Sequence, residues 1–256
     1  MSAMKPKLDV GGTLNQVFDI YREQAGVLLP VAFILFLIVA VVEVLLDASL
    51  ALLPLVLVVS TVAATLYQGM VVNLVRDVQD GRRDSSVGEL MNSVLPVLLP
   101  LIGAGLLAGL GIGLGFFLLV IPGLFLATIW AVIAPAIVVE GRGVFESFGR
   151  SRELVKDNGW PVFGTIVVAF LITFITAAIF GAIAIAIADD TVAVAVVFSV
   201  IAKVLTAPIG ALVAGVLYFR LLAIKGEQPS AEGLAAAPHP TAPPSYEPPP
   251  PPTPGT

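Results

Sequence analysis

The sequence predicts an all-α membrane bundle of six transmembrane helices, with three amphipathic helices on one side forming three helix-plus-hairpin units. Three observations carry this. The chain of 256 residues is 58% hydrophobic and only 12% charged, too little polar surface to cover a water-soluble globule. Its apolar residues gather into runs long enough to cross about 30 Å of hydrocarbon, which takes roughly 20 helical residues. Its basic residues fall in alternate loops.

The six expected spans are 26–46, 50–75, 95–120, 123–139, 160–188 and 192–222. The first apolar run follows a mixed segment of helical character, so no cleavable signal peptide is expected and the first span serves as the insertion signal. The third and fourth spans are separated by Ile121-Pro122-Gly123. Proline ends a hydrogen-bond ladder and glycine tolerates reversal, so this is a tight turn, with one kinked helix as the competing reading. The sixth span is longer than one crossing requires. Lys5, Lys7, Arg22, Arg76, Arg82, Arg83, Arg142, Arg150, Arg152, Lys156, Arg220 and Lys225 all lie on one side. The opposite loops hold Asp47 and Asp189-Asp190 but no base, so both termini are expected in the cytoplasm of a bacterial cell, with the protein in its plasma membrane. Residues 1–225 form the membrane domain. Residues 226–256, with eleven prolines, form a disordered proline-rich cytoplasmic tail. PPSY at 243–246 has the form of a WW-domain ligand, beside the alternative of a merely solvated tail.

Each odd-numbered span is preceded by a short segment with a helix-start signal. Thr13/Gln16 and Ser86/Glu89 fit a capping box, and Gly143/Glu146 occupies the same place before the fifth span. In the first copy Leu14, Val17, Phe18 and Tyr21 recur at helical spacing. In the third, Val144, Phe145, Phe148 and Val155 oppose Glu146, Arg150, Glu153 and Lys156. Such helices can lie in the headgroup plane with their apolar faces among acyl chains. Pro30, Pro96 and Pro161 then stand near the start of the following spans, where a missing N–H costs little. The cap-to-cap spacings are 73 and 57 residues. Matching caps and prolines favour a real repeat over an accident of alternating loops.

The run from Leu118, LLVIPGLFLATIWAVIAPAIVVEGRGVFESFGRSRELVKDNGWPVFG, resembles the bacterial glycerophosphoryl diester phosphodiesterase membrane domain and related six-span families. The likeness rests on Pro122-Gly123, Pro135, Glu140, Phe148, Arg150-Ser151, Leu154 and Trp160, with DVQDGRRDSSVGEL at 77–90 in support. It extends over residues 11–222, and Ser147 stands where such proteins often carry alanine. The resemblance implies a membrane module. It does not imply hydrolysis, which in those enzymes needs acidic and histidine residues around a metal, whereas the one histidine here, His239, lies in the tail.

Chemistry has few candidates. There is no cysteine, which excludes disulfides, thiolate ligands and a cysteine nucleophile. The spans offer no clustered carboxylates or nucleophile–base pair, so neither an enzyme nor a cofactor is expected. A net charge of −5 gives no reason to expect nucleic acid. Lys203 lies deep in the sixth span, a costly place for charge; it is a candidate intramembrane polar site with Glu43 as partner, or a structural residue that snorkels or pairs between helices. Glu140 and Arg142 close the fourth span and are expected to tether the following loop to the bundle. Arg150, Arg152 and Lys156, with Trp160, are the candidate contact for anionic lipid headgroups or a membrane-protein partner. Gly105, Gly109 and Gly113 recur four apart, a pattern for close helix packing, with a dimer face or lipid groove as alternatives. The expected function is that of a non-catalytic membrane protein organising lipids or a partner. The alternative is a small transporter or channel, which requires a continuous polar cavity reaching Lys203.

Overall fold

The apolar runs become helices in a computed structural model that describes residues 7–45, 52–81, 86–187 and 192–228. Lys5, Asp47, Arg82, Arg83, Asp189, Asp190, His239 and PPSY lie outside the described residues. The helices are α1 (Val10–Glu23), α2 (Ala25–Leu45), α3 (Leu53–Gln79), α4 (Val87–Val94), α5 (Leu98–Leu118), α6 (Val120–Ile129), α7 (Ile133–Glu140), α8 (Val144–Val155), α9 (Gly159–Ile187) and α10 (Val192–Lys225). No strand occurs among the described residues. Among the described residues six stretches are long and apolar enough to cross a membrane: Ala25–Leu45, Pro54–Gln79, Val87–Leu118, Val120–Glu140, Gly159–Ile187 and Ala193–Lys225.

The six spans divide into an inner and an outer set. The second span of each unit, α3, α6–α7 and α10, packs on its counterparts in the other units. The best buried large side chains follow: Met70 and Val72 on α3, Ile137 on α7, Leu212, Leu217 and Leu221 on α10. The first spans α2, α5 and α9 stand outside and expose large apolar residues such as Ile34, Leu110 and Phe174, the surface a bilayer solvates.

The short helices close this arrangement into a ring. Each packs on the last helix of the preceding unit: α4 on α3, α8 on α7, and α1 on α10. A polar tie marks each junction. Asn73 Nδ2 donates to Ser93 Oγ at 2.9 Å, Arg150 Nε donates to Glu140 Oε1 at 2.9 Å, and Arg220 Nε donates to Gln16 Oε1 at 2.7 Å. Gln16, Ser93 and Arg150 each stand seven residues after the helix N-cap, which is Asp9, Ser86 or Gly143. One position in each short helix therefore performs the same task with different chemistry, which accidental loop spacing does not explain.

Several local expectations are corrected. The first helix starts at Asp9, whose carboxylate accepts from the N–H groups of Gly11 and Gly12; Thr13 is buried within the helix and Gln16 is taken by Arg220. Aspartate is the stronger cap and gains an extra turn of helix. The apolar face of α1 is turned onto the bundle, with Val17 and Ile20 buried. Pro30 lies inside α2 rather than at its start, because α1 and α2 are parted only by Gln24. The turn between α5 and α6 is the single extended residue Leu119, which also disposes of one kinked helix; Pro122 and Gly123 already belong to α6. Glycine is needed there for proximity, since a Cβ on Gly115 would stand 2.8 Å from the Gly123 Cα. A Cβ on Gly105 or Gly111 would likewise strike Thr65 or Trp130, whereas Gly109 and Gly113 face open space. Of that series Gly105 alone is tightly packed, while the neighbouring line of Gly111 and Gly115, also four apart, is tightly packed at both positions.

Candidate functional site

The side chains at the start of the third unit form a charged node. Helix α7 ends at Gly141, whose left-handed backbone (φ 66°) reverses the chain, and Glu140 is left pointing into the bundle with its side chain fully buried. Arg142 Nε donates to it at 3.0 Å, Arg150 Nε at 2.9 Å, and the Tyr218 hydroxyl at 2.8 Å. Arg150 is 12% exposed and also pairs with Glu153 at 3.3 Å and with Glu227 just beyond α10. Burial works against the Arg150 charge, but its hydrogen bonds to Glu227 and Glu140 outweigh that and hold its pKa above the ordinary value. Arg150 is thus turned inward as a tether. Tyr218 and Glu227 were not singled out from sequence; a tyrosine beside Arg220 in an otherwise apolar helix end was the available signal.

The same helix repairs a break in the fourth span. Between α6 and α7, Trp130 to Val132 leave the helical ladder. The buried Ser151 hydroxyl donates to the Ile129 carbonyl at 2.8 Å and accepts from the Val132 N–H at 3.2 Å. Backbone inside a membrane bundle needs such replacement partners. Trp130 stands edge-on to Phe148, ring centres 4.9 Å apart. Ser147 and Ser151, one helical turn apart on the buried face of α8, were the overlooked signal.

Arg152, Lys156 and Trp160 face the other way. A cavity of about 520 Å³ is lined by Arg152, Glu153, Lys156 and Asp157, with Ile129 and Gly159 among its walls. A second cavity of about 550 Å³, lined by apolar residues of α6 and the first turn of α9, shares Ile129 and Gly159. Its rim carries Trp160 and Phe163, edge-to-face at 6.0 Å, and Trp160 is 84% exposed. Here α6 and α9 meet more sparingly than the equivalent neighbours α3 with α5 or α10 with α2. The ring is loosest at this junction. Asn158 Oδ1 accepts from the Leu8 N–H at 3.3 Å and so pins the turn from behind. Phe145 also points outward, at 81% exposure.

Lys203 and Glu43 come together on the far side. Lys203 Nζ is 3.5 Å from both Glu43 oxygens, and Ser60 Oγ donates to Glu43 at 3.4 Å. Both side chains are more than a third exposed. Neither lines the two large cavities. Among the described residues no group of three acidic or histidine side chains is placed to hold a metal ion.

Residues 85–223 match a family described as a domain of unknown function, DUF7847. The UPF0259 membrane protein PC1_1998 of Pectobacterium carotovorum subsp. carotovorum (strain PC1) is 37% identical over 97 residues, covering 38% of this chain and 38% of that protein. The match thus spans well under half of the curated relative's length. No solved structure matches the chain.

Proposed function

The chain belongs to the DUF7847 family, and we propose that this multi-span membrane protein is a non-catalytic phospholipid-binding module of the bacterial plasma membrane. The observation that carries the proposal is the junction of the two cavities: a charged chamber at the end of α8 opens beside an apolar cleft between α6 and α9, through shared walls at Ile129 and Gly159. A phosphate beside Arg152 and Lys156 and an acyl chain under Trp160 use both at once. Both termini lie in the cytoplasm on this proposal, because the basic residues share one side. Likeness to the membrane segments that accompany glycerophosphodiester phosphodiesterases supports a module that holds a lipid or serves a partner membrane protein. Changing Arg152 and Lys156 together to glutamine is expected to reduce phospholipid retained by the purified chain by at least about tenfold, the factor that losing even one of the two charge-assisted contacts would give. Native mass spectrometry after mild delipidation reads this, and unchanged retention overturns the proposal.

A second reading, a small transporter or channel, is favoured by the Lys203–Glu43 pair inside the spans. Ion flux in proteoliposomes, abolished by Lys203→Leu, is the result that moves the assignment to it.

A further inference from the structure

A separate cavity of about 280 Å³ is walled by residues of α3, α6, α9 and α10 together with Ala131 from the break in the fourth span. Gln68, Thr173 and Gly210 line it, and each stands within two residues of the midpoint of its helix, α3, α9 or α10. Those helices are membrane spans, so the cavity lies near mid-bilayer. Phe170, which also lines it, is mostly exposed on the outer face of α9, and the cavity communicates with the lipid there. No charged residue lines it among the described residues.

Four polar groups on its wall have no partner of their own. Every other threonine among the described residues, from Thr13 to Thr206, donates its hydroxyl to the carbonyl four residues back. Thr173 does not, and the Gln68 amide makes no hydrogen bond either. No wholly enclosed side-chain polar atom among the described residues lacks a partner, so these two groups are accessible rather than sealed in packing. The other two are carbonyls freed by the break. The Ala131 N–H turns to the Thr128 carbonyl and leaves that of Ala127 without its usual donor. The Ala131 carbonyl falls opposite Pro135, which has no N–H, and no other donor reaches it. Unpaired backbone at this depth is costly unless something in the cavity serves it. Filling the space with water takes several molecules, each wanting two to four polar partners, and four wall groups leave most of them against apolar surface.

We propose that this cavity binds the ring of a membrane quinol, its two hydroxyls donating to the free carbonyls and accepting from the Gln68 amide and the Thr173 hydroxyl. A cavity of about 150 Å³ already accepts benzene, so this one has room for a ring with substituents. The small wall residues Ala169, Gly210 and Ala214 suit a flat body. An oxidised quinone carries acceptors alone; it satisfies Gln68 and Thr173 but leaves both carbonyls stranded. The site therefore favours the reduced form, and it stands independently of the phospholipid reading.

The test loads the full chain in nanodiscs, without oxygen, with a short-tailed menaquinone or with decylubiquinone, each oxidised or reduced, and measures retained ligand by native mass spectrometry. Wild type is expected to retain the reduced form about tenfold over the oxidised form, the factor for donor bonds that only the quinol makes; the ring type retained identifies the source. Gln68→Leu with Thr173→Val is expected to lower retention of both forms by at least about tenfold. Pro135→Ala returns an N–H to the Ala131 carbonyl and is expected to lower the preference for the reduced form several-fold without abolishing binding. Equal or better retention of the quinone by wild type, retention unmoved by the double change, or a preference unmoved by Pro135→Ala each overturns the proposal. So does the absence of either retained ring, which leaves the cavity to water.

Discussion

Glu140 with its arginines and Glu43 with Lys203 are opposites. Glu140 is fully buried, receives three donors and ties three elements, α7, α8 and α10, at one end of the ring. Glu43 meets a single amine at 3.5 Å, with Ser60 beside it, and both charged side chains remain substantially open. The contrast separates a charge whose surroundings have been organised around it from one that has merely found a partner. Desolvation makes the first pair expensive to break, since removing one member strands the other. The second can lose a member and let the survivor turn away.

The largest effect is therefore expected at the first pair. Glu140→Gln removes the charge that Arg142 and Arg150 share and is expected to cost about 3 kcal/mol of stability, read by unfolding in a graded SDS titration. The triple change Glu140→Leu, Arg150→Met and Tyr218→Phe removes both charges together with the buried hydroxyl that depends on Glu140 and should recover most of that loss, because packed apolar residues replace a buried pair at little cost. A Glu140→Gln protein as stable as wild type would break the comparison outright.

What sequence disclosed and what it hid follow the same division between local and distant chemistry. The six spans were visible because hydropathy over about 20 residues is a local sum. The Glu140–Arg142 contact was visible because a single residue separates its members. Tyr218 and Glu227, although they complete the same node, are 78 and 77 residues away from their partners, and only the folded ring brings them there. The closure of α1 onto α10 is hidden for that reason too. Asp9 was passed over because Thr13 also fits a cap, and the choice was made by Arg220, which claims Gln16 from the far end of the chain.

Ser151 sharpens the comparison with a neutral buried group. Its hydroxyl serves one carbonyl and one N–H at the break in the fourth span. Ser151→Ala leaves both without a partner and is expected to cost about 2 kcal/mol, less than the charge at Glu140 and more than an ordinary surface change. Because the break borders Ile129, which lines both cavities, the same variant should also lower lipid retention. Ser151→Thr keeps the hydroxyl and is the control.

The smallest effect is expected at the open pair. Hydrogen bonds between spans contribute about 0.6 kcal/mol on average, since the unfolded chain in the membrane also finds partners. Lys203→Leu should therefore change stability by about that amount in the same SDS titration, as Glu43 keeps Ser60. Changing Glu43→Gln in addition should add little, because the coupling was weak at the start. A loss at Lys203→Leu as large as that at Glu140→Gln would show that exposure does not divide these two pairs. It would also mean that the far side of the bundle is organised around its charge, which is what a transport site there requires.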